Sequence, residues 1–180
     1  LDPESRLSLW EDLRLLASHP AALRMVARAY ARLLRQSVLS AEAGDRLAAI
    51  PYAALPIGTA VALELDLPLI YPRKEAKGYG RGRQVEGEFE PGERAIVLDD
   101  LITTGGSKLA AIEPLEAAGL KVKDVVVLID REQGGRDELE AAGYRLHAVL
   151  RLSDMLAVLV SEGRITAQQK DQVASFLWGE

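Results

Sequence analysis

The order of apolar and polar positions in the second half of the chain predicts strands that alternate with helices. Residues 94–98 form a continuous apolar run, typical of a strand that is covered on both faces. The pattern then predicts helix 106–118, strand 124–129, helix 136–142 and strand 144–150. Such alternation is typical of βαβ units, so we expect an α/β domain with a central, mostly parallel sheet flanked by helices.

The first half of the chain continues this alternation. Ser18 and Pro20 predict a helix start with Ser18 as the N-cap, and apolar residues at helical spacing extend to Leu34. The pattern then predicts strand 47–50, loop 51–56, helix 57–65 and strand 67–71. Together with the second half, these elements fit one domain that spans residues 1–180.

Two further helix starts are predicted near the end of the chain. Ser153 is expected to cap a helix that reaches Glu162. Thr166, with Gln169 three residues later, has the spacing of a capping box and predicts the last helix.

The periodic pattern stops between Pro72 and Gly92. This stretch contains Gly78, Gly80 and Gly82 and is expected to form a loose hairpin. An irregular segment longer than ~15 residues in a compact domain is usually a lid, a binding loop or disordered.

That irregular stretch also concentrates positive charge. Its basic residues are Arg73, Lys74, Lys77, Arg81 and Arg83, opposed by Glu75. In a chain with a formal net charge of −5, such a cluster indicates a local anion site. The alternative, which composition alone favours, is a solvated loop whose charges serve solubility.

Composition limits the function classes. The 180 residues suit one domain, and no apolar run reaches the ~18 residues that a membrane-spanning helix needs. The acidic balance argues against a nucleic-acid binder, and the absence of cysteine excludes disulfides and a thiol nucleophile. We expect a cytoplasmic protein without a membrane or nucleic-acid partner. Because residue 1 is Leu rather than Met, position 1 is not taken as a biological terminus.

The end of strand 94–98 carries the clearest chemistry. Asp99 and Asp100 are adjacent carboxylates, which are costly at a strand end unless sugar hydroxyls or a hydrated magnesium ion neutralise them. The run that follows combines backbone N–H groups, glycines and hydroxyls at a helix N-terminus, and it comprises Thr103, Thr104, Gly105, Gly106 and Ser107. These groups are suited to hold a phosphate.

A simpler interpretation is a strand–turn–helix corner in which Asp caps the helix and Gly makes the turn. For Asp99 and Asp100 alone we favour that corner, whereas for residues 96–108 together we favour the ligand site. Other phosphate motifs are absent, because the chain has neither a Walker A sequence nor a Gly-x-Gly-x-x-Gly run after a strand.

Residues 96–108 (Ile-Val-Leu-Asp-Asp-Leu-Ile-Thr-Thr-Gly-Gly-Ser-Lys) resemble the phosphoribosyl-diphosphate motif of type I phosphoribosyltransferases. The resemblance is to the orotate enzymes in particular, above all the orotate domain of bifunctional UMP synthases. Three segments extend it: 72–80 is similar to their mobile catalytic loop, 129–135 to their Asp-Arg-x-x-x-Gly element, and 50–56 to their loop facing pyrophosphate. The likeness spans about residues 10–176 and implies the type I phosphoribosyltransferase fold with a mobile loop over the site.

The resemblance also implies residue roles. Asp99 and Asp100 would bind the ribose hydroxyls and organise Mg²⁺ indirectly, through water or ribose, and both are expected to be catalytic. The residues expected to hold the 5′-phosphate are Thr103, Thr104, Gly105, Gly106 and Ser107. Those expected around pyrophosphate are Arg73, Lys74, Lys77 and Tyr79, of which Lys77 is expected to be catalytic and Tyr79 stands where the family often has His. Arg131 and Thr103 would contact the base.

The implied activity is transfer of phosphoribosyl from phosphoribosyl diphosphate to orotate in pyrimidine biosynthesis. In this family some loop residues serve the neighbouring subunit's site, which implies a homodimer. The ring nitrogen of orotate is the nucleophile, so no covalent enzyme intermediate is needed. Asp99 and Lys77 are both candidates for handling its proton.

The beginning of the chain departs from the family pattern. An ungapped match places Asp2 where the family has a Lys that packs on orotate, and Glu11 where it has an apolar residue. Ala53 also stands where many members carry Lys, although the UMP-synthase type often lacks it. The base-pocket segment is therefore expected to be truncated or atypical. The alternative is a domain that acts on another base, or a non-catalytic module that senses phosphoribosyl diphosphate.

Several single residues have a plain structural interpretation. Arg131 would equally form a buried ion pair with Asp130, and Tyr52 would line the site or simply pack. His147 is expected to be an ordinary strand residue, and Trp178 a packing residue.

Overall fold

The computed structural model describes residues 13–39, 45–73 and 84–179. A 3-10 helix at Leu13–Ser18 precedes the regular elements. The helices in these ranges are α1 (Pro20–Ser37), α2 (Ala54–Leu65), α3 (Gly106–Ala117), α4 (Gly135–Ala141), α5 (Leu152–Ser161) and α6 (Ala167–Trp178). The strands are β1 (Asp45–Ala49), β2 (Leu69–Pro72), β3 (Val85–Glu86), β4 (Arg94–Ile102), β5 (Lys121–Asp130) and β6 (Arg145–Arg151).

The described strands form a six-stranded sheet in the order β3-β2-β1-β4-β5-β6. All neighbours pair in parallel except β2 and β3, which are antiparallel. The sheet with its flanking helices confirms the predicted fold class. The β2–β3 pairing also gives the irregular 72–92 stretch the hairpin that its pattern predicted.

Apolar side chains of the central strands alternate between two cores. On β4, Ile96 and Leu98 face α1 and α2, whereas Ala95 and Val97 face the side of α3 and α4. Successive side chains of a strand point to opposite faces, so a run that is apolar throughout fits only a sheet covered on both sides. Within the described ranges, no helix has the length and apolar character to cross a membrane.

The strand that leads to the candidate chemistry is longer than predicted. The apolar run ends at Leu98, yet β4 continues through Asp99 and Asp100 to Ile102. The reason is non-local: β5 continues alongside, with Asp99 opposite Val127 and Ile102 opposite Asp130.

Helix starts show where local rules failed. His19, not Ser18, is the N-cap of α1 and makes no side-chain cap hydrogen bond, because Ser18 is the last residue of the 3-10 helix that precedes α1. Ser153 lies inside α5 rather than at its cap, and its N–H donates to Glu132 Oε2 at 2.9 Å.

Two further helix starts were tested by the structure. Residues 51–56, predicted as a loop, include the first turn of α2, which begins at Ala54. The capping box of Thr166 and Gln169 is confirmed.

Some sequence-based predictions concern residues outside the description. They include Asp2 and Glu11 at the start of the sequence. They also include Lys74, Lys77 and Tyr79 of the basic segment, which is residues 73–83. Their expected roles remain predictions.

Candidate active site

The sheet reverses its winding direction between β1 and β4, and the candidate site lies there. From β1 the chain proceeds to β2 on one side, whereas β4 lies on the other. The N–H of Ile50 donates to the carbonyl of Leu98 at 2.9 Å, which joins the carboxyl ends of the two strands. In open α/β sheets such a reversal leaves a crevice where ligands bind. The loop after β1 and the loop after β4 both open onto it.

Asp99 is a buried carboxylate at this crevice, held by a buried lysine. Asp99 is 7% exposed and Lys108, in the first turn of α3, is 5% exposed. Lys108 Nζ lies 2.7 Å from Asp99 Oδ2 and also donates to Ser107 Oγ at 3.2 Å. Burial raises the pKa of the Asp99 carboxyl to about 6, although the Lys108 charge opposes the shift. The ion pair ties the end of β4 to the start of α3 across the intervening loop.

Asp100 is half-buried and turned differently from its neighbour. Its N–H donates to Asp99 Oδ1 at 2.9 Å, and its own Oδ1 accepts the N–H of Leu101 at 2.8 Å. Successive residues of a strand point to opposite sides of the sheet. The two carboxylates are therefore fixed by their own backbone in separate orientations.

Tyr30, on α1, holds the end of β4 through a hydrogen bond. Its hydroxyl, fully buried, donates to the carbonyl of Asp99 at 2.6 Å. Burial, with the charges of Asp99 and Asp100, raises the pKa of Tyr30 well above its usual value, so the phenol remains a neutral donor.

The loop from Thr103 to Ser107 leads directly into α3. Gly105 is the N-cap residue and Gly106 begins the helix. The first N–H groups of an α-helix have no partner within the helix and carry the positive end of its dipole. This loop therefore presents donors suited to an anion. One of them is engaged: the Gly105 N–H donates to Glu138 Oε2 at 2.7 Å.

The glycine pair after β5 brings α4 against this loop. Gly134 has φ +88°, which favours glycine. A Cβ on Gly135 would lie 2.6 Å from Ile102 Cγ1 and 2.7 Å from the carbonyl oxygen of Thr103. The N–H of Gly135 donates to that carbonyl at 3.0 Å. Only glycine allows the helix to start this close to the end of β4.

Arg131 follows β5, and its main chain is held on both sides. Its N–H donates to the carbonyl of Ile102 at 3.0 Å, and its carbonyl accepts Trp178 Nε1 at 2.9 Å. A cavity of about 480 Å³ opens beside it, lined by Thr103, Thr104, Glu132, Gln133, Leu177 and Trp178. The end of α6 thus forms one wall of this cavity, next to the Thr103–Ser107 loop (the phosphate-type loop).

Arg73 is the described member of the basic cluster. Its N–H donates to the carbonyl of Gln84 at 2.8 Å, and Nη1 lies 3.2 Å from Glu86 Oε1. These contacts anchor the start of the basic segment to β3.

The donor set suits an ion that is shared with a substrate better than one held by protein alone. No group of three or more His, Asp or Glu side chains that could hold a metal occurs among the described residues. Mg²⁺ usually keeps several waters and binds through one or two carboxylates plus substrate phosphates. Asp100, half-buried beside the phosphate-type loop, fits that mode of binding.

The structure brings most of the predicted site residues into one crevice. Asp99 and Asp100 lie on β4 next to it, the Thr103–Ser107 loop follows β4, and the Arg131 N–H bonds the carbonyl of Ile102, just before that loop. Asp130 is paired with Arg136, whose Nη2 lies 3.2 Å from Asp130 Oδ2. The alternative of an ion pair between Arg131 and Asp130 stays a prediction.

Four contributors were missed by the sequence interpretation. They are Tyr30, Lys108, Glu138 and Trp178. Lys108 carried a signal, since a cation in the first turn of a helix opposes the helix dipole and favours a nearby anion. The others come from distant parts of the chain and gave none.

Comparison with known proteins points in one direction. The model of the phosphoribosyl transferase domain family matches residues 15–144. The chain is 44% identical over 158 residues to a bifunctional PyrF/PyrE enzyme of a Nostoc species, covering 88% of this chain and 32% of that protein. It is 41% identical over 165 residues to an orotate phosphoribosyltransferase of Cenarchaeum symbiosum, covering 90% of this chain and 80% of that protein.

A solved structure agrees with these relatives. The UMP synthase of Leishmania donovani superposes with a TM-score of 0.83 at 44% identity, covering 94% of this chain and 36% of that one. The chain thus spans about a third of the length of the bifunctional proteins that it matches.

Proposed function

The chain belongs to the phosphoribosyl transferase domain family and, within it, to the orotate phosphoribosyltransferases, and we propose that it makes orotidine monophosphate. The reaction joins phosphoribosyl diphosphate and orotate and releases pyrophosphate, a step of pyrimidine biosynthesis. The observation that carries this proposal is the pairing of two carboxylates with an anion-binding loop at the carboxyl end of β4.

Each part of the crevice fits one part of phosphoribosyl diphosphate. The N–H groups and hydroxyls of the Thr103–Ser107 loop suit the 5′-phosphate, and charge-assisted bonds there are worth roughly 1.5–3 kcal/mol each. Asp99 and Asp100 precede this loop on β4, and we expect them to accept hydrogen bonds from the hydroxyls of a ribose attached to that phosphate. Mg²⁺ would neutralise the diphosphate when bound, and Asp99 and Asp100 would hold it indirectly, through water or ribose.

Cations on the basic segment would stabilise the departing pyrophosphate. Displacement at the anomeric carbon passes through an oxocarbenium-like state with a negative leaving group. A cation ~5 Å from that charge at an effective dielectric of ~20 contributes about 3 kcal/mol, or roughly two powers of ten in rate. Arg73 begins this segment, and Lys74, Lys77 and Tyr79 follow it in the sequence.

The base would lie between Thr103 and Arg131. Orotate is a planar anion, and a guanidinium matches its carboxylate or a ring carbonyl. Trp178 supports this side, because its indole N–H holds the Arg131 carbonyl and its ring lines the adjacent cavity. A homodimer in the cytoplasm, with basic-segment residues shared between subunits, completes the proposal.

A second candidate function rests on the unusual start of the chain. Asp2 and Glu11 replace a Lys and an apolar residue of the family pattern, and a carboxylate near the base would repel orotate. A domain that uses another base, or only senses phosphoribosyl diphosphate, would keep the β4 site and lose the orotate contacts.

One assay separates these candidates. Protein, Mg²⁺, phosphoribosyl diphosphate and orotate are mixed, and loss of orotate absorbance is followed. Turnover with orotate supports the proposal. Tight phosphoribosyl-diphosphate binding without turnover would favour the second candidate, and a panel of other bases would then identify its substrate. Absence of any Mg²⁺-dependent phosphoribosyl-diphosphate binding would contradict both.

The basic segment has a test of its own. Lys77→Ala should lower kcat at least about tenfold, because a cation next to the leaving group acts in the transition state. Lys170→Ala, in the first half of α6, removes an equal charge at a residue that does not line the cavity and should leave kcat unchanged. Equal rates for Lys77→Ala and the wild type would remove Lys77 from the mechanism.

A further inference from the structure

A carboxylate already lies on the loop that we assign to the 5′-phosphate. Glu138 projects from the first turns of α4, and its Oε2 accepts the Gly105 N–H at 2.7 Å. A carboxylate oxygen bound to an N–H at a helix start uses the same donor geometry that a phosphate oxygen uses. Glu138 therefore occupies a donor of this loop that suits a phosphate oxygen.

The packing shows that the side chain lies across the loop rather than touching it at one atom. A Cβ on Gly105 would lie 3.0 Å from Glu138 Cδ, and a Cβ on Gly106 would lie 3.8 Å from Glu138 Oε1. The carboxylate thus extends over consecutive residues of the loop. This position follows from the close start of α4 at Gly135, which fixes the base of the Glu138 side chain beside β4.

A phosphate on this loop and the Glu138 carboxylate would exclude each other. Both are negative, the carboxylate already occupies the Gly105 N–H, and like charges at contact distance repel. Glu138 is exposed, so its side chain can rotate into solvent at the loss of one charge-assisted hydrogen bond. Phosphate binding therefore requires an exchange in which the protein's own anion leaves the loop.

We propose that Glu138 is a specificity-determining residue of the 5′-phosphate site, an internal anion that a ligand must displace. The inference rests on the proposed function, since it takes the loop after β4 as the phosphate site. A ligand held only by its phosphate gains little after displacing Glu138. Phosphoribosyl diphosphate also has its ribose and diphosphate contacts, and so it displaces the carboxylate at lower concentration. Glu138 thereby disfavours small phosphates that would otherwise occupy the site.

The test uses ribose 5-phosphate and inorganic phosphate as competitors of phosphoribosyl diphosphate. Glu138→Gln removes the charge and keeps an acceptor for the Gly105 N–H, whereas Glu138→Ala removes both. The inhibition constant for ribose 5-phosphate should fall about threefold for the Gln variant and about tenfold for the Ala variant. The KM for phosphoribosyl diphosphate should fall in the same order, with kcat within about twofold.

Asp137→Asn is the matched control. Asp137 precedes Glu138 in the first turn of α4, so its removal changes the charge and the helix-start electrostatics equally. No described contact joins Asp137 to the phosphate loop. Its inhibition constants should stay within about twofold of wild type. Pyrophosphate is the second control, because it binds at the leaving-group side and its inhibition constant should not change with Glu138.

The outcomes are distinguishable. If wild-type protein neither binds nor turns over phosphoribosyl diphosphate, the proposed function fails and the inference with it. If wild type turns over but both Glu138 variants bind ribose 5-phosphate equally well or more weakly, the inference alone is overturned. Weaker binding by Ala with recovery by Gln would show that Glu138 shapes the loop for phosphate instead. Equal gains for ribose 5-phosphate and pyrophosphate would reduce the effect to overall charge and also overturn it.

Discussion

Two buried aspartates on neighbouring strands meet opposite electrostatic conditions. Asp124 lies near the start of β5, and Asp99 lies near the end of β4. Asp124 is fully buried and contacts Arg94 at 2.7 Å, Arg145 at 3.0 Å and His147 at 2.8 Å. Asp99, almost as buried, has the single buried cation Lys108 among its described ion pairs.

The pKa values follow from this difference. Burial alone would raise the pKa of Asp124, but hydrogen bonds from His147, Arg94 and Arg145 hold it well below the usual range. At Asp99 burial prevails, and the pKa rises to about 6. A buried carboxylate whose pKa several cations hold low contributes to stability, whereas a buried carboxylate whose pKa is raised at the edge of a crevice is typical of a functional site. The amino end of the sheet, with Asp124 and its partners, is therefore called the structural end. The carboxyl end, with Asp99 and the loop after β4, is called the chemical end.

The largest expected effect breaks the structural end. Asp124→Asn removes the charge and leaves Arg94 and Arg145 facing a neutral, buried group. Breaking a buried ion pair by removing one partner costs about 3–5 kcal/mol, and we expect about 3 kcal/mol because Arg145 is largely exposed. Urea unfolding measures this loss. At temperatures below the transition, kcat should stay within about twofold of wild type.

The opposite result for Asp124→Asn would contradict this contrast between Asp124 and Asp99. A variant with unchanged unfolding free energy but a large loss of kcat would make Asp124 a site residue, although it lies at the far end of the sheet.

The sequence predicted the chemical end better than the structural end, for a physical reason. Residues 96–108 are contiguous, so a strand, two acids and a glycine-rich helix start can be identified from local pattern alone. The Asp124 cluster assembles from β4, β5 and β6, and a single Asp between Lys123 and Val125 carries no local signal. Its contacts depend on strand register, which the sequence did not specify.

Within the site, the same distinction separates what was predicted from what was missed. The Tyr30 hydroxyl reaches Asp99 from 69 positions away, and Glu138 reaches Gly105 from 33. At Ser18 and Ser153 the local pattern predicted something that the structure does not have. Both are residue types that favour an N-cap, yet neither is the N-cap of its helix. Ser18 is taken up by the preceding 3-10 helix, and α5 begins at Leu152, before Ser153, whose N–H donates to the distant Glu132.

The next effect tests the chemical end directly. Asp100→Asn should lower kcat/KM for phosphoribosyl diphosphate at least about tenfold, because a neutral amide binds ribose hydroxyls and hydrated Mg²⁺ less strongly. The unfolding free energy should change by less than about 0.5 kcal/mol, since Asp100 is half-buried and has no described ion pair. Steady-state kinetics and urea unfolding on one preparation give both values. Unchanged kinetics would refute the assignment.

The pH dependence sharpens the contrast between the two aspartates. Because the folded pKa of Asp99 is raised to about 6, the carboxyl becomes protonated as pH falls through 6. If the ionised form binds the ribose, kcat/KM should fall toward tenfold per pH unit below that value. Protonation does not destabilise the fold here, because a raised folded pKa contributes stability at low pH that is lost as pH rises through 6. Asp124 has the opposite sign, and its contribution is lost only as pH falls below the usual range of an aspartate.

A profile of kcat/KM from pH 5 to 8, with thermal unfolding at each pH, tests both statements. Activity should decline at the acid end while the unfolding temperature does not fall with it. Parallel loss of both would mean that acid unfolds the protein and that Asp99 is not the group observed.

The smallest effect concerns the link between the core and the chemical end. Tyr30→Phe deletes the hydroxyl that donates to the Asp99 carbonyl at 2.6 Å and leaves that carbonyl without its buried donor. We expect a loss of about 1 kcal/mol in unfolding free energy and a two- to fivefold rise in KM for phosphoribosyl diphosphate, because the end of β4 is held less firmly. Tyr144→Phe is the control, since its hydroxyl bonds Glu116 at an exposed position and should matter by less than about 0.5 kcal/mol. A Tyr30 variant with the stability loss but unchanged KM would show that the hydroxyl belongs to the core alone. Tyr30 would then be a structural residue, and the site at this strand would begin with the Asp99 carboxylate itself.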